Sequence, residues 1–159
     1  MILVLLGTQD KEFIRLVKEV DRLVCHEIIS DEVVIQQGNT KCEVVSSKIK
    51  VFDFIDIDSL NKLIEKADIV ISHGGVGSIV SCIRNKKKLI VFPRLKKYGE
   101  HVDDHQLQIV KLFYDRGYLL YSMEVSQLEC LIRVVKEADY KRFAMGNKKM
   151  IKLIKDYIK

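Results

Sequence analysis

Asp68-Ile69-Val70-Ile71-Ser72-His73-Gly74-Gly75-Val76-Gly77-Ser78 is the stretch that decides how this chain folds. Asp68–Ile71 is a short β-branched run, which suits a buried strand. Three glycines then fall within four positions, and the pattern over 77–85 is helical. A strand that ends in a glycine turn and feeds a helix is a unit of a parallel α/β sheet. Such a turn lets backbone amides approach a ligand closely. A helix beginning near Gly77 also points its positive end at an anion such as a diphosphate. Ser78 adds a hydroxyl donor, and His73 could bind phosphate, transfer a proton or orient the loop. The spacing is neither the dinucleotide GxGxxG nor a P-loop, because no Gly-Lys-Ser/Thr follows. A turn built only for close helix–strand packing is the alternative.

The same alternation extends in both directions. Strand-like runs occupy 2–6, 33–36, 49–55, 68–71 and 88–92, with a weaker one at 118–121. Helical patterns fill 10–24, 59–67, 77–85, 104–116 and 125–137. The near-continuous apolar strands fit burial on both faces. The expected fold is therefore a doubly wound, Rossmann-like α/β domain of about six parallel strands. Residues 140–159 read differently: Phe143, Met150, Ile151, Ile154 and Ile158 share one helical stripe, and lysines fill the other side. This predicts a basic amphipathic helix that packs on its own domain or docks on a partner or membrane surface.

The bulk composition agrees with one such domain. The 159 residues are 48% hydrophobic and 31% charged, with a net charge of +5. That balance excludes a disordered chain, and no run approaches the ~20 apolar residues of a membrane helix. Ile2–Leu6 lacks a preceding basic segment and stops at Gly7, so it reads as a strand and not a signal peptide. Cys25, Cys42, Cys82 and Cys130 form no CxxC pair and no zinc spacing, which suits a reduced, cytoplasmic protein.

Ligands of open parallel sheets sit beyond the C-terminal strand ends. Gly7-Thr8-Gln9 follows the first strand; Gly7 permits a tight turn, and Thr8 is expected to cap the next helix. After Leu89–Phe92 a long loop leads to Asp103-Asp104-His105-Gln106. Asp103 or Asp104 suits an N-cap there, and a carboxylate beside an amide can read adjacent sugar hydroxyls.

These motifs, in this order, resemble the donor-binding C-terminal half of family 28-type GT-B glycosyltransferases, over about residues 1–138. Phe54-Ile55 after a strand matches the same half. The likeness is greatest to free-standing subunits of two-component transferases. One group builds bacterial capsule and exopolysaccharide repeats, and another is the eukaryotic dolichol-linked UDP-GlcNAc transferase. Gly99 to Gln106 looks especially like the bacterial group. The resemblance implies a UDP-sugar donor domain at 1–139, with 140–159 as a partner-docking element. Amides around Gly74, Gly75, Gly77 and Ser78 would hold the diphosphate, with His73 nearby. Phe54 and Ile55 would bracket the uracil, and Asp104, His105 and Gln106 would meet the hexose. Gly7, Thr8 and Gln9 would face the phosphates. Where many relatives carry a ribose-gripping Glu, this chain has Ser81.

The implied reaction moves a hexose or hexuronic acid from a UDP-sugar to a polyprenyl-diphosphate-linked saccharide, with no metal or other cofactor. A membrane-anchored acceptor-binding subunit would supply the general base and bring the lipid-linked acceptor. The chain would sit at the cytoplasmic, inner face of the membrane through that partner and bind no nucleic acid. The alternative is a non-catalytic regulatory subunit that binds the nucleotide sugar. A dehydrogenase is disfavoured, because Gly7-Thr8-Gln9 supplies no GxGxxG after the first strand.

Overall fold

The computed structural model describes residues 1–137, so the expected helix and domain boundary at 140–159 lie outside the described residues. Among the described residues six strands form one sheet in the order β3-β2-β1-β4-β5-β6. They are β1 (Ile2–Leu5), β2 (Val33–Gln36), β3 (Ile49–Phe52), β4 (Ile69–Ser72), β5 (Lys88–Val91) and β6 (Leu120–Tyr121). Every pairing is parallel; Ile2 lies beside Val33 on one side and Ile69 on the other. This confirms the doubly wound α/β expectation.

Successive strand side chains alternate between two cores, which is why the strands read as unbroken apolar runs. Ile2, Val4, Ile69, Ile71 and Ile90 meet Leu16, Val20 and Val24 of α1 (Ile14–Cys25) and Leu128, Ile132 and Val135 of α5 (Leu128–Glu137). On the opposite face Leu3, Leu5, Val70 and Leu89 meet Ile64 of α2 (Ile57–Lys66), Ile79 and Ile83 of α3 (Val76–Arg84), and Val110 and Phe113 of α4 (His105–Asp115).

Two boundaries differ from the sequence reading in ways that matter. The first helix starts at Ile14 and not near residue 10, so Thr8 does not cap it. No side chain caps it: the N-cap residue is Phe13, whose own N–H donates to the buried Thr40 hydroxyl at 3.0 Å. The strand expected over 49–55 ends at Phe52, which leaves Phe54 and Ile55 in the loop before α2. That helix is capped by Asp56, whose carboxylate accepts the Ser59 N–H at 2.9 Å.

Candidate functional site

The strand order reverses direction between β1 and β4, so the crevice beyond their C-terminal ends is the topological switch point. The turn after β1 contributes Gly7, and the turn after β4 contributes His73 to Gly77. The His73 imidazole lies between them. A methyl group at Gly7 would stand 2.6 Å from His73 Nε2, and one at Gly75 would stand 2.5 Å from it. Both glycines are thus required by a ring that fills the base of the crevice.

His73 is buried, and its Nδ1 lies 3.1 Å from the Leu5 carbonyl. A carbonyl only accepts, so the proton sits on Nδ1 and Nε2 is bare. Burial pushes its pKa down to about 4, against the bond to Leu5, which raises it. A neutral imidazole is therefore the form present near neutral pH. It can orient the turn or accept a hydrogen bond, but it brings no positive charge to a phosphate.

The three glycines of the turn do separate things. Gly74 has φ of +97°, a left-handed conformation that disfavours any side chain, and a methyl there would press on Val110 at 3.1 Å. Gly75 has an ordinary φ of −68° and is required by the His73 contact. Gly77 meets nothing within 4 Å and is exposed in the first turn of α3. Packing therefore explains Gly74 and Gly75 but not Gly77. The open Gly77 backbone, with partly exposed Ser78 after it, is what a ligand can approach at the helix's positive end.

The second wall is the loop from Pro93 to Asp104. Its anchor is Arg94, a residue that sequence reasoning passed over. Arg94 is only 1% exposed. Its guanidinium donates to the carbonyls of Leu6 (2.8 Å), Lys11 (2.5 Å) and Glu100 (3.2 Å) and stacks on Phe13. Burial pulls its pKa below the usual arginine value, with Glu100 acting the other way. Glu100 is buried and makes a two-pronged pair with Arg15, at 2.7 and 3.1 Å, and accepts the Leu95 N–H. The signal available in the sequence was Arg94 directly after the only proline, at a strand end.

This network qualifies the expected sugar readers. Gln106 is buried, and its Oε1 accepts the Arg94 N–H at 3.1 Å, so that oxygen already holds the loop. Asp104 occupies the N-cap position of α4 but makes no side-chain cap bond; its carboxylate accepts the Lys96 N–H at 3.0 Å. Asp103 caps instead, through the His105 N–H at 3.0 Å. His105 is exposed.

The remaining expected contacts reach the crevice unevenly. A methyl at Gly74 would be 3.5 Å from Gln106 Oε1, so the glycine turn and the α4 start adjoin. Gln9 is exposed and reaches His101 at 2.9 Å, while Asn39 donates to the Thr8 and Gln9 carbonyls. Phe54 is exposed and Ile55 partly so, on the side of Gly38, which itself touches Gly7. Ser81 donates to Asn61 of α2 at 3.1 Å. A separate cavity of about 500 Å³, lined by Lys11, Arg15, Tyr98 and Glu100 among others, contains none of the expected donor contacts. Among the described residues no helix is long and apolar enough to cross a membrane.

Comparison with known proteins identifies the family and the fold. The UDP-N-acetylglucosamine transferase subunit ALG13 of Candida albicans is 37% identical over 84 residues, 53% of this chain and 27% of the relative. ALG13 of Debaryomyces hansenii is 29% identical over 122 residues, 74% of this chain and 56% of the relative. The chain thus spans about half or less of these relatives' lengths. A solution structure of ALG13 superposes with a TM-score of 0.63 at 21% identity, over 96% of this chain and 93% of that one, which shows the shared fold. The model of the glycosyltransferase family 28 C-terminal domain matches residues 1–159, and the chain belongs to that family.

Proposed function

We propose that this chain holds the UDP-sugar donor of a glycosyltransferase that works with a second, acceptor-binding chain. The observation that carries the reading is Gly77. It is a glycine that neither backbone conformation nor packing requires, at the first turn of α3 and beside the switch point. Amides from Gly74 to Ser78 and the helix end would stabilise the diphosphate and the departing UDP without a metal or cofactor. Gly7, Thr8 and Gln9 line the phosphate side, Phe54 and Ile55 the base side, and Asp104, His105 and Gln106 the sugar side. Gln106 then reads the sugar through its NH2 group, because its oxygen is engaged.

The relatives are named as transferase subunits for UDP-N-acetylglucosamine, which makes that donor the first to test. Transfer of a hexose or hexuronic acid in capsule or exopolysaccharide synthesis rests only on the likeness of Gly99–Gln106 to the bacterial group. A polyprenyl-diphosphate-linked saccharide is the proposed acceptor, brought by a membrane-anchored partner at the cytoplasmic face. The test is sugar transfer from UDP-N-acetylglucosamine to a lipid-linked acceptor, with and without the partner. Turnover only with both chains supports the proposal. Substantial transfer by the isolated chain would remove the need for a partner. Turnover by the partner alone would make this chain a regulatory subunit.

A further inference from the structure

A line of polar contacts behind the proposed phosphate contact Gln9 runs through His101 to Asp103, two residues with no part in the donor contacts above. The Asp103 carboxylate lies 3.1 Å from His101 Nδ1, and His101 Nε2 lies 2.9 Å from Gln9 Nε2 on the opposite loop. Asp103 is fixed first by the His105 N–H, and this bond, together with the nearby His105 and His101 rings, holds its carboxyl below the usual carboxylate range. An ionised oxygen this close repels a bare ring nitrogen and attracts an N–H. His101 therefore carries its proton on Nδ1. The Asp103 N–H, 3.2 Å from the same nitrogen, is the weaker competitor because it bears only a partial charge. Nε2 of the neutral ring is then an acceptor, and Gln9 turns its NH2 toward it.

The Gln9 carboxamide has two unlike ends. Neutral His101 engages the NH2 and leaves the oxygen for whatever occupies the crevice. A proton taken from solvent onto Nε2 turns His101 into a donor, which must engage the oxygen and leave the NH2 outward. A diphosphate is repelled by the first arrangement and hydrogen-bonded by the second. The other charged or titratable groups in this neighbourhood are Asp103 and His105 on the same side, His73 after β4, Arg94 after β5, Asp10 on the β1–α1 loop, and Glu100 paired with Arg15 of α1.

We propose that His101, oriented by Asp103, is a positioning residue that sets the Gln9 amide for the donor's diphosphate, so that UDP binding is accompanied by proton uptake onto His101. The inference rests on the reading that the Gly7–Gln9 turn faces the donor phosphates. It is tested by calorimetric titration of UDP into the full chain, at about pH 7, in buffers of different ionisation enthalpy. NMR titration of the His101 ring with and without UDP accompanies it. The wild type should take up a fraction of a proton on binding, and the His101 titration should move upward. His101→Ala should weaken UDP binding about fivefold, the size of one hydrogen bond. His101→Gln can donate to or accept from Gln9 without titrating. It should restore most of the affinity while abolishing the proton uptake. UDP binding without proton uptake, or uptake that persists in His101→Gln, overturns the inference and leaves the donor reading standing. Failure of UDP to bind the wild type overturns both.

Discussion

The turn after β4 and the loop after β5 form neighbouring walls of one crevice, yet they are held by different means. The first is short, and its shape comes from what is missing: side chains at Gly74 and Gly75 would collide with Val110 and His73. The second is long and is stapled by buried charge, with Arg94 bonded to three carbonyls and Glu100 paired with Arg15. The first wall can thus expose bare backbone to a ligand, while the second can present fixed side chains. The difference also separates two kinds of fragility, since glycine walls fail by crowding and stapled walls fail by leaving a charge unpaired.

The largest effect should come from the stapled wall. Glu100→Ala leaves Arg15 without its carboxylate and the Leu95 N–H without its acceptor. We expect a loss of about 3–5 kcal/mol in denaturant unfolding. A loss well under 1 kcal/mol would mean that the wall is held by Arg94 alone.

Next in size is the pH response of the glycine wall. His73 titrates at about 4 in the folded chain, against 6.5 for the ordinary imidazole. Its lowered folded value means that its contribution is fully present above 6.5 and is lost as pH falls from 6.5 through about 4. The total is about 3 kcal/mol. Unfolding curves measured across that window should show the slope in the wild type and lack it in His73→Gln. An unchanged slope in the variant would assign the acid sensitivity to other groups.

Gly75→Ala and Gly77→Ala sharpen the contrast within the same turn. The first places a methyl against His73 and should destabilise by about 1–3 kcal/mol. The second removes a glycine from a helix and should stabilise by up to about 1 kcal/mol, yet weaken UDP binding by crowding the diphosphate. Stability and UDP titration on both variants check this. A Gly77→Ala chain that binds UDP normally would place the phosphates elsewhere. The smallest net effect is expected for Ser81→Glu, where a gain and a loss oppose each other. A carboxylate on the ribose hydroxyls would tighten UDP by about 1–2 kcal/mol, reduced by loss of the bond to Asn61. No gain in affinity would mean that α2 keeps position 81 from the ribose.

The sheet could be read from sequence because both its faces are buried. Ile2–Leu5 and Ile69–Ile71 each serve two cores, so their apolar runs are unbroken. The glycine turn was equally legible, although only Gly74 and Gly75 of its three glycines prove to be backbone that packing keeps free of side chains. The staples were not. Arg94 in a sequence looks like any surface cation, and only the fold shows that Leu6, Lys11 and Glu100 turn their carbonyls to it. For the same reason Gln106 read as a free sugar ligand, although its oxygen holds the Arg94 N–H. Thr8 was assigned a cap because it precedes a helical pattern. The helix instead starts at Ile14 without a side-chain cap, and the Phe13 N–H before it is held by Thr40, from a loop that no local pattern ties to α1.

The most direct measurement of the account is titration of UDP into the isolated chain, followed by backbone amide NMR. Saturable shifts concentrated at residues 74–78, the diphosphate side, and 54–55, the base side, and absent from the cavity lined by Tyr98 and Glu100, are the predicted result. UDP at about 1 mM that perturbs neither segment would contradict the donor site.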